Sequence, residues 1–382
     1  MQGLMRPSSA SRRGVQPKRR RRYVWVIILL MVVAVIYGVN RLKQTGGTTE
    51  IAVSILPCYA GQSVTPFREN VLYYDDASIH CVSGTGVIRW SFPVGAGASF
   101  SASDRHVIAW VGSQVYILDQ NGRPTYNETM ADTIQFCRIG GDYAAMVLGS
   151  NTKPSMVIKD VNGAQVDDES EAFNNLMMMD CGFYGEKGQY MWTLTMDIFG
   201  TAINHTLNTF QVGKMNTGEA ALGKPLVYRI LYENGRLRVF TTRQMTTYDF
   251  KAVQDVNGTM LVYGWKLLDA YIPVRGDASM LMAPTSQLTT TRNITELRLL
   301  TGNSDQRLTL PNACVGASVV DRTVYAYSPS YLYRANASDQ RFVGYPINLP
   351  NGGQVTGFLG TTTGGRALVT SGDTVYSITM PQ

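Results

Sequence analysis

From residue 51 onward the apolar residues fall in short runs, not along a helical face. In the clearest stretch Val71-Leu72-Tyr73-Tyr74, Ile79-His80-Cys81-Val82 and Val87-Ile88-Arg89-Trp90-Ser91-Phe92 are divided by Asp75-Asp76-Ala77-Ser78 and by a turn at Thr85-Gly86. Short runs rich in β-branched and aromatic residues, bounded by Gly, Asn and Asp, predict antiparallel strands joined by hairpins. The unit recurs. Val107-Ile108-Ala109-Trp110 and Val115-Tyr116-Ile117-Leu118 lead to Asn121-Gly122, and residues 143–148 and 155–159 lead to Asn162-Gly163. Further turns are expected at Thr217-Gly218, Asn257-Gly258 and Thr301-Gly302, with Ala337-Ser338 as a seventh that lacks glycine. A glycine suits a tight hairpin because such turns need positive φ.

The turn glycines Gly86, Gly122, Gly163, Gly218, Gly258 and Gly302 are 36, 41, 55, 40 and 44 residues apart. Four strands per period of this length is the pattern of a β-propeller blade. Three more strands at 354–358, 367–370 and 374–379 have no fourth after them, and residues 51–56, before the first blade, can supply it. The fold class is therefore all-β: an eight-bladed propeller closed by pairing of its N- and C-terminal strands, with seven blades as the alternative if the long 163–218 interval is read otherwise.

Residues 23–39 read YVWVIILLMVVAVIYGV without a charge, at the short end of the roughly 17–25 residues that cross a bilayer as a helix. Tyr23, Trp25 and Tyr37 lie near its ends, where amphipathic rings prefer the headgroup region. The run exceeds the roughly 7–15 residues of a signal-peptide core, and the following NRLKQTGG offers no small-x-small cleavage site. This divides the chain into a basic cytoplasmic tail (1–22), a transmembrane helix (23–40), a tether (41–50) and an extracytoplasmic propeller (51–382).

Charge sharpens that division. The overall +6 conceals ten Lys or Arg and no Asp or Glu in residues 1–43, leaving 24 basic against 28 acidic residues beyond. A folded nucleic-acid-binding domain is thereby excluded. Eight of the ten precede the span, which predicts a cytoplasmic N-terminus. Lys18, Arg19, Arg20, Arg21 and Arg22 are expected to fix topology and touch anionic lipid headgroups.

The first blade, LYYDDASIHCVSGTGVIRWSF, resembles the repeat of the quinoprotein-type (PQQ-like) β-propeller superfamily, in which a strand, an Asp/Gly turn, a strand, a T-G turn and a tryptophan recur. It looks similar to outer-membrane assembly propellers of that superfamily, and the whole layout resembles membrane-anchored propeller proteins of Gram-positive bacteria. The match covers about one blade, with Trp90 at the expected place; the tryptophan is absent after Gly122 and Gly163. In quinoprotein enzymes of the superfamily a calcium-held cofactor sits in the channel beside a vicinal cysteine pair. No such ligands or pair are assignable here, so no cofactor is expected.

Candidate chemistry is sparse. Three histidines, His80, His106 and His205, and five scattered cysteines make a multi-ligand metal site hard to assemble. Asp75-Asp76 and Asp167-Asp168-Glu169 with Glu171 read as solvated turn residues, a metal site being the alternative. There is no G-x-S-x-G, H-E-x-x-H or Walker loop. Cys137, Cys181 and Cys314 fall at comparable places near blade starts and are expected buried and reduced; Cys58 with Cys81, or Cys137 with Cys181, remain alternative disulfide pairs. Tyr325, Tyr327, Tyr331, Tyr333 and Tyr345 make either a binding face or simply good strands. The sequence thus predicts a non-catalytic scaffold in the cell envelope whose partners are the lipid bilayer and an envelope protein or cell-wall polymer. The alternatives are a cell-surface glycan-processing enzyme with carboxylates meeting in the channel, and a sensor with a basic tail.

Overall fold

A computed structural model of the chain describes Met31 and residues 50–382 except 170–172, 174, 215, 290 and 291. Tyr23, Trp25, Tyr37, the run from Lys18 to Arg22 and Glu171 lie outside the described residues. Among the described residues no helix is long and apolar enough to cross a membrane.

Eight four-stranded antiparallel sheets account for the described chain. Seven are built in strict order: blade 1 (65–93), blade 2 (99–129), blade 3 (134–168), blade 4 (177–223), blade 5 (227–261), blade 6 (265–314) and blade 7 (316–346). The eighth joins Gly357–Thr362, Arg366–Ser371 and Thr374–Thr379 to Val53–Tyr59 as its outermost strand. Val53 pairs with Ile378 and Tyr59 with Thr374. Arg366 fastens the closure by donating from Nε to Ser377 Oγ (2.7 Å) and from Nη2 to Ser54 Oγ (3.1 Å). Closure of this kind gives the eighth sheet its fourth strand, so that the ring keeps only short strand edges at the channel and the rim.

Burial along each blade explains the sequence pattern. The second and third strands are covered by neighbouring blades on both faces, so Asn70–Tyr74 and His106–Val111 are apolar without alternation. The outermost strands have solvent on one side, and Ile88–Pro93 accordingly alternates between exposed and half-buried positions, while Pro124–Thr129 is almost wholly exposed. Hydrophobic clusters lie between successive blades, one of them joining blade 8 to blade 1 through Leu56, Cys58, Val71, Tyr73, Leu368 and Val375.

The hairpin between the third and fourth strands has one recurring form. In blades 2, 3 and 5, Asp119, Asp160 and Asp249 each accept at Oδ1 from the backbone N–H groups two and four residues on. Ser83 Oγ does the same in blade 1. The fourth residue takes positive φ: Gly86, Gly122, Gly163 and, in blade 5, Ala252. The turn also locks to the preceding blade. Trp90 Nε1 donates to Gln120 O (3.0 Å), Thr125 Oγ1 to Val161 O (2.6 Å) and Thr217 Oγ1 to Phe250 O (3.1 Å).

Two of the predicted turn glycines lie elsewhere. Gly218 is inside the strand Asn216–Gly223, and the blade 4 turn passes through Gly213, at φ 71°. Glycine at 218 is needed for close approach: a Cβ there would sit 1.8 Å from the Lys251 carbonyl oxygen of the next blade. Gly258 is inside Gln254–Leu261, because Ala252 already supplies the left-handed residue of that blade's turn. Gly302 does lie in its hairpin, at φ 55°.

Candidate functional site

The innermost strands line the axial channel, and five of the eight depart from regular pairing at one corresponding place. Register shifts fall between Ile134 and Phe136, Met178 and Asp180, Val227 and Arg229, Leu267 and Asp269, and Phe358 and Gly360. A bulge inserts one residue, increases local twist and re-aims the side chains beside it. In blades 3 to 6 charged residues lie at or just after these shifts: Arg138, Asp180, Arg229 and Asp269, alternating in sign along the innermost strands of four of the eight blades.

Their commitments differ. Arg138 donates from Nε to Asp180 Oδ1 (2.9 Å) and from Nη1 to Cys137 O (3.0 Å), and lies over the Phe136 ring. Asp180 Oδ1 also accepts from Cys181 N (2.9 Å). Asp269 accepts from Ala270 N at Oδ1 and from Val319 N at Oδ2, both 2.9 Å, which ties blade 6 to blade 7. Burial holds its carboxyl above the ordinary value against these bonds and the nearby Arg229 charge. Arg229 is exposed and has no hydrogen-bond or ion-pair partner among the described residues.

The recesses follow this arc. One of about 370 Å³ is lined by Arg138, Asp180, Trp192 and Arg229 among others. It shares Tyr228 and Arg229 with another of about 300 Å³ that reaches Asp269. Asp269 and Ala270 in turn border a third, of about 630 Å³, extending to Thr361–Gly365 of blade 8.

A second surface lies on the face that carries the loops between second and third strands and the connections to the next blade. Here Ile198, Phe199 and Ile203 of blade 4, Leu226 of the connection to blade 5, and Leu261 and Tyr263 leading to blade 6 are all exposed, Tyr263 by 72%. Beneath them His205 is buried, with Nδ1 on Gly223 O at 3.2 Å and no partner for Nε2 among the described residues. The strand Val53–Tyr59 begins at the opposite face, since Val53 pairs with Ile378 and only Tyr59 reaches the 372–373 loop.

The residues singled out in the sequence take mostly structural places. His80 lies between Asp75 Oδ2 at Nε2 and Ser91 Oγ at Nδ1, each 2.7 Å, with its ring stacked on Tyr73. That is the order of a base and its orienting acid, but Ser91 is exposed on an outermost strand and borders none of the channel recesses described above. Asp75 Oδ1 accepts from Ala77 N and Ser78 N, a turn role. His106 bonds Gly141 O. Among the described residues no group of three His, Cys, Asp or Glu side chains is placed to hold a metal. All five cysteines are free and buried, and burial pushes the thiols of Cys58, Cys81, Cys181 and Cys314 up to about 12. Tyr325, Tyr327 and Tyr333 are core residues; Tyr331 is exposed. The channel charges were missed by motif reading, although each is a lone charge within a short apolar run, twice beside a cysteine: Cys137-Arg138 and Asp180-Cys181.

This architecture defines an eight-bladed β-propeller protein. No protein-family model and no curated protein sequence matches the chain. Among solved structures it is similar to BamB from Moraxella catarrhalis, at TM-score 0.50 and 10% identity over 87% of this chain and 98% of that one. It is likewise similar to Sqt1 of Saccharomyces cerevisiae, at TM-score 0.51 and 10% identity over 87% of this chain and all of that one. At such identity the likeness is one of fold.

Proposed function

We propose that the ring is a non-catalytic protein-binding scaffold in the cell envelope, held outside a membrane by the apolar segment 23–40 and oriented by the basic tail before it. The observation that carries the binding role is the run of exposed apolar loop residues across blades 4 and 5. Contiguous exposed apolar surface rimmed by polar residues marks protein interfaces, and large aromatics such as Phe199 and Tyr263 are the side chains that dominate them. Rigid blades hold these loops, so little ordering entropy opposes association. The anchor is supported by hydropathy and by the asymmetry of the flanking charges.

Catalysis by channel carboxylates is the weaker reading. Both oxygens of Asp269 are engaged by backbone amides, so it does not stand ready to exchange a proton with a substrate, and Asp180, engaged at Oδ1 by Arg138 and Cys181 N, borders a different recess and so does not form an acid–base pair with it.

Photo-crosslinkers placed at Phe199 and Tyr263 of the full-length protein in host membranes test the binding role. The expected result is one stoichiometric protein partner, not captured when the crosslinker is placed on the opposite face at Val87, and lost from F199E/Y263E when the crosslinker is placed at Leu226. Crosslinks to polysaccharide alone, or equal capture from both faces, would overturn it. Labelling of residue 45 by an impermeant reagent on intact cells, with residue 10 protected, is the expected topology; the reverse pattern would refute the anchor's orientation.

A further inference from the structure

We infer that the channel wall at blades 4 and 5 is a binding site for a small carboxylate, with Arg229 as its anchor. This site is separate from the apolar loop surface and does not depend on it.

The inference starts from an asymmetry between the two channel arginines. Arg138 has an ion pair with Asp180, a bond to Cys137 O and an aromatic ring beneath it. Arg229 has none of these among the described residues, yet it borders two adjoining recesses. The neighbouring carboxylates do not take its place as partners. Asp269 spends its two oxygens on Ala270 N and Val319 N, so it lends Arg229 a field and no hydrogen bond. Asp180 is turned to Arg138. The bulge between Val227 and Arg229 sets this side chain out of the regular pleat, while its neighbours Val227, Tyr228 and Ile230 pack into or against the core.

A guanidinium left unpaired in a recess offers a planar fork of N–H donors that matches a carboxylate in two parallel bonds. The recess is about 370 Å³, at the lower end of the range for small-ligand sites, so it suits one or two residues' worth of ligand. Trp192, Leu194, Val227 and Ile230 also line it, each largely buried in the core between blades 4 and 5, so they leave a narrow apolar edge for a group next to the carboxylate. Asp180, close on the same wall, disfavours a second negative charge and so argues against phosphate. Two sources share this chemistry: a free small carboxylate and the C-terminus of a peptide with an apolar last residue.

The test titrates full-length protein in detergent with N-acetyl-leucine, N-acetyl-leucinamide, inorganic phosphate and a peptide ending in Leu-COOH, read by ligand-observed NMR and calorimetry. Binding of the acid but not the amide is expected, weakened at least about tenfold in R229Q and partly kept in R229K. R275Q, an exposed arginine outside the recess, is expected to bind like the unaltered protein, and unchanged melting of R229Q shows that the ring is intact. Tighter binding of the peptide than of N-acetyl-leucine identifies a protein C-terminus as the ligand; equal binding identifies a free carboxylate. Equal affinity for acid and amide, preference for phosphate, indifference to R229Q, or no binding by about 10 mM would each overturn the assignment.

Discussion

Glu233 and Arg238 form a buried link between blades 5 and 6 whose removal has a calculable cost. Their side chains are 7% and 21% exposed, with Arg238 Nε donating to Glu233 Oε2 at 2.8 Å. The other carboxylate oxygen accepts from Ala278 N (2.9 Å) in the next blade, and Arg238 Nη1 reaches Thr247 Oγ1 (2.8 Å). Glu233→Ala leaves a largely buried guanidinium uncompensated, typically about 3–5 kcal/mol, and orphans a buried N–H, about 1–3 kcal/mol. Partial exposure of Arg238 lowers the first figure, so a total of about 3–5 kcal/mol is expected. For a unit spanning Glu50–Gln382, about 330 residues at roughly 2.1 cal/mol/K each, unfolding entropy is about 0.7 kcal/mol/K. Calorimetry should therefore show Tm falling by about 4–7 °C. Glu233→Gln should rescue little, because its amide turns a donor toward a donor. In a double-mutant cycle with Arg238→Met, the paired change should cost less than the two single costs together by at least about 1.5 kcal/mol. Additive costs, or Glu233→Gln melting with the unaltered protein, would refute the reasoning.

Gly122→Ala places a Cβ 2.5 Å from the Trp90 ring at φ 76°, whereas Gly112→Ala at φ 58° meets nothing within 4 Å. Denaturant unfolding should show about 1 kcal/mol lost at Gly112 from backbone strain and about 2–4 kcal/mol at Gly122 from strain plus displacement of Trp90; equal losses would sink the blade-locking account. Asp75 is held below the ordinary carboxylate value chiefly by the Ser78 N–H, and Asp305 chiefly by Arg298. Depressed folded values mean that both stabilise fully above the ordinary carboxylate range, and that this is lost as pH falls through the folded values. D75N/D305N should flatten the acid limb of Tm against pH, and an unchanged limb would count against these bonds. Because burial raises the thiols of Cys58, Cys81, Cys181 and Cys314 to about 12, a thiol reagent at pH 8 should react with none of the five cysteines while folded and with all five in denaturant; four missing thiols in denaturant would show disulfides instead.

The period, the strand type and the closure were legible because each is a local matter. A blade's middle strands are covered on both faces, so runs such as Val71-Leu72-Tyr73-Tyr74 stay apolar without alternation, and hairpins announce themselves by residues that tolerate positive φ. An unpaired strand at the start and a blade short of one strand at the end can satisfy their hydrogen bonds only together, which made the pairing of Val53–Tyr59 with Thr374–Thr379 readable from counting. Gly218 and Gly258 misled for a physical reason: a glycine marks either a left-handed residue or a close approach, and composition does not separate the two. Only the tertiary structure showed that Lys251 presses on Gly218 and that Ala252 takes the turn instead.

Sequence by itself determined the blade period, favoured eight blades over seven, and indicated how the ring closes and where apolar and basic segments precede it, because these follow from periodicity and from charge counted along the chain; the structure decided the count at eight. What the channel and the loops present was decided in three dimensions. Arg138, Asp180, Arg229 and Asp269 are tens of residues apart and meet only because four blades place their innermost strands around one axis. Which of them remains unpaired depends on backbone amides of the neighbouring blade. Likewise Phe199, Leu226 and Tyr263 come to the same face of the ring only because the second-to-third-strand loop of blade 4 and the connections to blades 5 and 6 all emerge there, a placement set by the blade topology and not by any residue's neighbours in the chain.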